Sequence, residues 1–103
     1  MNAIAKSALR IELTHPALAG HFPGNPVVPG VVLLQRVASA WQVARGARIG
    51  KLDAKFMQPL LPEQDATIEL HEDGAHARFS IVRADGTVLA RGTLEPVAGI
   101  VSP

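Results

Sequence analysis

One histidine stands in a loop that few chains would build by accident: Gly20-His21-Phe22-Pro23-Gly24-Asn25-Pro26-Val27-Val28-Pro29-Gly30, followed at once by the apolar run Val31-Val32-Leu33-Leu34. Three prolines and three glycines punctuate it. Each proline fixes its own φ and biases the preceding residue toward extended backbone, so the loop is stiff. It can hold the His21 imidazole at a set distance from the start of the helix that follows. An imidazole changes protonation near neutral pH and suits proton transfer. The unpaired N–H groups at a helix N-terminus suit a developing oxyanion.

The elements that must position these groups follow from the pattern. Leu9, Ile11 and Leu13 alternate with Arg10 and Glu12, the period of a half-buried strand. Residues 14–30 form the loop. From Val31 to about Ala44 no proline or glycine interrupts the chain, and a helix is expected. It is apolar most of the way round, so other structure should wrap it. Gln35, Ser39 and Gln42 share one helical line, with Arg36 beside it, and Gly46 supplies a stop. Strand patterns follow. Residues 49–58 are one candidate, ended by Pro59 and Pro62. Ala66, Ile68 and Leu70 alternate with polar neighbours, as do Ala77, Phe79 and Ile81, and then Val88, Ala90 and Gly92. Asp73-Gly74 and Asp85-Gly86 are hairpin-type turns between them. Strand, loop, buried helix and about four strands in a meander imply an α+β fold, an antiparallel sheet wrapped around one helix.

Composition bounds the rest. The chain has 103 residues, enough for one domain spanning 1–103. With 48% hydrophobic residues it can build a core, and a domain this small gains by self-association. The net charge of +1 argues against a general nucleic-acid footprint. There is no cysteine, hence no disulfide, thiolate nucleophile or thiolate metal site. His15, His71 and His76 show no ligand spacing with carboxylates, so no metal is expected. Met1–Arg10 has neither the length of apolar run nor the pattern of a signal peptide, and Val27–Leu34 is too short to span a bilayer. A cytoplasmic protein is the default expectation.

The loop resembles the signature of the FabA/FabZ-type β-hydroxyacyl-acyl-carrier-protein dehydratases. The residues that carry the likeness are Gly20-His21-Phe22-Pro23-Gly24, Pro26 and Pro29-Gly30-Val31. Lys55-Phe56-Met57-Gln58-Pro59-Leu60-Leu61-Pro62 is similar to that family's basic residue and phenylalanine followed by Pro-x-x-Pro, and the two hairpins fit its last strands. The short length and the run Thr14-His15-Pro16-Ala17-Leu18-Ala19 look most like small members found beside aryl-polyene or related lipid and pigment pathways. The resemblance implies a dimeric hotdog fold and no cofactor. It implies loss of water from a 3-hydroxyacyl chain carried on acyl carrier protein. By the same resemblance His21 takes the position of the base and Gly30 that of the N–H binding the thioester oxygen. Phe22, Val31, Leu34 and neighbouring apolar residues would line the acyl site.

The sequence departs from the family at the acid. Its place on the helix, fourteen positions after the histidine, holds Gln35. An amide donates a hydrogen bond to a hydroxyl or holds a water, but it delivers no proton. General acid catalysis is worth about two to four orders of magnitude. Two further readings therefore stand beside the dehydratase: a silent subunit pairing with a homologue or binding acyl thioesters, and a thioesterase. Glu12 or Asp53 would replace the acid only if the fold brought one close. Plainer roles also exist. His21 could hydrogen-bond its own loop, Gly30 could serve a turn, and Gln35, Ser39 and Gln42 could be a polar interface seam. Arg45, Arg48, Lys51 and Lys55 could receive an acidic carrier protein or simply be solvated. Phe22, Trp41, Phe56 and Phe79 suit a core better than a ligand.

Overall fold

A computed structural model describes residues 3–12, 14–15, 27–46, 49–73 and 76–96. His21 and Phe22 lie outside the described residues, as do Leu13, Arg48 and the turn residue Gly74. The elements are β1 (Ala3–Leu9), α1 (Gly30–Arg45), β2 (Ile49–Phe56), β3 (Ala66–Asp73), β4 (His76–Arg83) and β5 (Val88–Pro96). All strand pairs are antiparallel, in the order β1-β3-β4-β5-β2. One helix on one antiparallel sheet is the hotdog arrangement.

Two expectations need correction. The first strand lies upstream of the Leu9–Leu13 alternation, at Ala3–Leu9. Its small residues give a weak pattern, whereas Leu9 and Ile11 are buried just where the chain leaves the sheet. Only β3, β4 and β5 form a meander. β2 lies beyond β5, because the Pro59–Pro62 connector crosses over and does not turn back as a hairpin.

The helix begins on Pro29, whose φ of −62° and ψ of 143° are extended, and ends on Gly46, left-handed at φ 64°. The Gly46 N–H donates to Gln42 O at 2.7 Å, a C-terminal closure that glycine adopts at no steric cost. Val32, Leu33, Val37 and Trp41 are buried against the sheet. The Trp41 indole N–H finds no acceptor among the described residues. Val31, Gln35, Ser39, Gln42 and Val43 form an exposed stripe, Val31 at 61% and Val43 at 88%. The helix is thus covered on one side only within a single chain.

The inner face of the sheet is built by period-two alternation. Ile68, Leu70, Phe79, Ile81, Ala90 and Leu94 are buried on it, in one cluster with the helix. Gly92 stands opposite Phe79 on β4 and Ala54 on β2. A Cβ there would run into the Asp53 carbonyl and come within 2.7 Å of Phe79 Cε2, so glycine permits the close approach of β2 and β5. Between Ile81 and Val82 the register slips by one, leaving Leu89 as an extra residue on β5. This bulge turns the Leu89 side chain inward to full burial.

Two outcomes test this packing. Gly92→Ala is expected to destabilise the fold by about 1–3 kcal/mol, the usual cost of overpacking, in chemical denaturation. The β4–β5 turn gives a pH test. Asp85 accepts hydrogen bonds from Arg83 Nε and Nη2 at 3.2 and 3.0 Å and from the Thr87 N–H at 2.9 Å. The Arg83 guanidinium first, and then Thr87, hold its carboxyl far below the usual carboxylate range. A depressed folded-state pKa contributes stability above the unfolded value and loses it as pH falls. The stability gap between wild type and Asp85→Asn should therefore be widest near neutrality and shrink below about pH 4.

Candidate active site

The start of α1 is fixed from outside the helix. The Val28 N–H donates to Leu60 O at 2.9 Å, and both side chains are buried. Pro29 follows directly in extended backbone, and its carbonyl accepts the Val32 N–H at 3.0 Å. Gly30 opens the helix. Its N–H has no i−4 carbonyl within the helix, and none of the described residues accepts it. No acidic side chain occupies the first turn. The helix dipole at this end therefore remains available to an oxygen that carries partial negative charge.

A cavity of about 310 Å³ adjoins Gly30. Val27, Val28 and Leu33 line it from the helix side, and Phe56, Met57, Gln58, Pro59 and Leu60 from the strand that leaves the sheet. The β5 bulge shapes that second wall: the Leu89 carbonyl accepts the N–H groups of Met57 and Gln58 at 2.8 and 3.2 Å. The described lining is mostly apolar and holds no ionisable side chain. Such a lining suits an apolar ligand, and the helix start at Gly30 lies on its wall.

Of the residues singled out from the sequence, Gly30 lines this cavity. Val31 is exposed and Leu34 half-buried, both outside its lining, while Leu33 takes the wall position. Gln35 is exposed on the open stripe of α1 and lines none of this cavity within the chain. Glu12 lies in a separate, mixed-charge recess of about 470 Å³ with Arg10, His15 and Arg36. Asp53 is exposed on β2, paired with Thr93 and 3.8 Å from Lys51 Nζ. Neither carboxylate reaches the Gly30 cavity. Arg45 pairs with Glu72 at 2.6 Å and Lys55 is exposed. Trp41 and Phe79 are core residues, but Phe56 is not: 45% exposed, it is a cavity wall. Sequence reasoning left Leu33 unnamed among the apolar neighbours, and it missed Met57 and the Leu89 bulge. The Pro-x-x-Pro run was the available signal for Met57, because a strand ended by proline must leave the sheet nearby.

Comparison with known proteins places this geometry. A family model described as ApeI-like, ApeI dehydratase, matches residues 2–93. The 3-hydroxyacyl-[acyl-carrier-protein] dehydratase FabZ of Proteus mirabilis is 28% identical over 99 residues, covering 81% of this chain and 66% of that protein. The FabZ of Klebsiella pneumoniae is 26% identical over 105 residues, covering 86% of this chain and 70% of the relative. The chain thus spans about two thirds of the length of these curated relatives. Among solved structures, the dehydratase heterocomplex ApeI:P from Xenorhabdus doucetiae superposes with a TM-score of 0.76 at 21% identity, covering 93% of this chain and 96% of that one. The R-hydratase PhaJ1 of Pseudomonas aeruginosa does so with 0.66 at 14% identity, covering 91% and 78%. With a helix N-terminus opening on an apolar cavity, a hotdog sheet behind it, and a family model that runs through nearly all of the elements described, the chain belongs to the ApeI-like dehydratase family.

Proposed function

We propose that this chain dehydrates a 3-hydroxyacyl thioester carried on acyl carrier protein, in fatty-acid or polyene-type lipid or pigment synthesis. The observation that carries the reading is the Gly30 N–H, without an acceptor among the described residues, at the mouth of an apolar cavity. An N–H fixed there stabilises the enolate-like oxygen that forms when C2 loses its proton. His21, nine residues upstream in the same loop, is the base in this reading. The C3–O bond then breaks and the hydroxyl leaves as water. Gln35 can hydrogen-bond that hydroxyl but not protonate it. In this reading the proton taken up by His21 is the one that leaves with the hydroxyl, so the reaction balances without a carboxylic acid.

The exposed stripe of α1 and the edge of β2, unpaired among the described residues, support pairing with a second subunit, a copy of this chain or a homologue. Gln35 would then face the partner's cavity. A cytoplasmic setting is part of the same proposal; among the described residues no helix is long and apolar enough to cross a membrane.

A second reading rests on Gln35 itself. With an amide where the family places an acid, the chain would be a silent subunit that completes an active homologue. The fold it shares with a component of a dehydratase heterocomplex favours keeping this reading.

The deciding experiment is mass spectrometry of 3-hydroxyacyl thioesters of several lengths, scoring water loss and free acid separately. The dehydratase reading expects water loss by the wild type and a fall of about two to four orders of magnitude in His21→Ala. Gln35→Glu should raise the rate with binding unchanged. Substrate bound without water loss or hydrolysis, with activity appearing only when a homologous subunit is added, would establish the silent subunit instead. Gly30→Ala separates stability from chemistry. Its backbone φ is not in the left-handed region, so the fold should stay within about 1 kcal/mol of wild type in thermal melts, while thioester turnover falls.

A further inference from the structure

Phe56 belongs to the face of β2 that looks toward the helix, yet 45% of it is exposed. Its register partner is Ala90, and the preceding residue on the same face is Ala54, both small. The ring leans instead onto the first residue of α1. A Cβ on Gly30 would meet Phe56 Cζ at 3.0 Å and Cε2 at 3.2 Å. Gly30 is not one of the glycines with positive φ. What its position demands is room rather than an unusual backbone, and the Phe56 ring fills that room.

The consequence for a bound thioester is geometric. The amide nitrogen of Gly30 lies about 1.5 Å from its Cα. A carbonyl oxygen accepting from it would sit about 2.9 Å further on. The carbons next to that carbonyl must then pass beside a ring that already touches the space above the Cα. Phe56 and Gly30 line the same cavity.

We propose that Phe56 is the specificity-determining residue for the acyl group next to the thioester: its ring, seated on the bare Cα of Gly30, limits bulk at C2 and C3 and leaves the far end of the chain unselected. The inference rests on the dehydratase reading in that a thioester must bind at Gly30. It adds the element of the substrate that this site measures.

The test compares straight 3-hydroxyacyl thioesters with ones branched at C2 or carrying an aryl group at C3, using the full chain with any partner it needs. In Phe56→Leu and Phe56→Ala the ratio of kcat/KM, bulky over straight, should rise by about tenfold, the size that one or two buried methylenes command in a pocket. The change should fall mainly in KM, and lengthening a straight chain at its far end should leave the ratio alone. Gly30→Ala should lose turnover on every substrate, and Gly30→Ala combined with Phe56→Leu should recover it about tenfold, since the new methyl group then has space. Thermal melts confirm that each variant is folded. An unchanged ratio across folded Phe56 variants, or no recovery in the double variant, overturns the inference and leaves the dehydratase reading intact. Should the wild type turn nothing over, affinities for the same acyl groups as non-hydrolysable thioether analogues give the ratio. Absence of binding by any of them overturns both.

Discussion

A backbone hydrogen bond, from the Val28 N–H to the Leu60 carbonyl, ties together the two stretches on which the site depends. One enters the helix and the other leaves β2. Both ends of the bond are buried, so breaking it would strand a donor and an acceptor away from water. With it in place, Pro29 can hold the chain extended and α1 can begin at Gly30. It fixes the helix start against the connector that carries Phe56 and Met57 into the cavity wall. The bond is itself supported from two sides. The bulge at Leu89 anchors Met57 and Gln58. Further along the same connector, the Glu63 N–H donates to Ile11 O and the Arg10 guanidinium meets Glu63 and Asp65 at 2.8 and 3.4 Å. Those ion pairs are exposed and individually contribute little, but the backbone contacts they accompany shape the connector.

The described site divides its chemistry unevenly. The cavity wall offers shape, dryness and one kind of polar group, the N–H of a helix start. It offers no ionisable side chain. In the proposed reading proton transfer falls to His21, which lies outside the described residues. Such a split suits an elimination from a thioester. The carbonyl needs a donor held rigidly, and the two carbons need proton traffic that a burying wall would disfavour by desolvation.

Much of this is legible in the sequence. The helix between Pro29 and Gly46 and the alternating cores of β3 and β4 follow from local rules with mechanisms behind them, whereas on β5 the bulge exposes Val88 and buries Leu89, and the role expected of Gly30 comes from the family resemblance. What local rules miss is which strand sits beside which. β2 reads as the start of a meander, and only the tertiary fold carries it to the far side of β5. The position of β1 is obscured for a related reason: Ala5, Ser7 and Ala8 are too small and mixed to announce a strand, while Leu9 and Ile11 give a strong signal only as the strand ends. Phe56 is the instructive case. An aromatic in an alternating strand suits a core, yet here Ala54 and Ala90 beside it are small and its ring rests on the bare Cα of Gly30. Those three residues come from three different elements, which no window of sequence contains.

Trp41 is the only tryptophan of the chain, and its indole is buried with the N–H unmatched among the described residues. It sits eleven residues along α1 from Gly30, about 16 Å at the rise of an α-helix. Intrinsic fluorescence excited through the indole is therefore a single-site signal. A buried indole emits toward the blue, and it shifts to the red when water reaches it. The chain thus carries a built-in optical gauge of how tightly helix and sheet are packed, placed far enough from the cavity mouth that events there and loosening of the core register as different things.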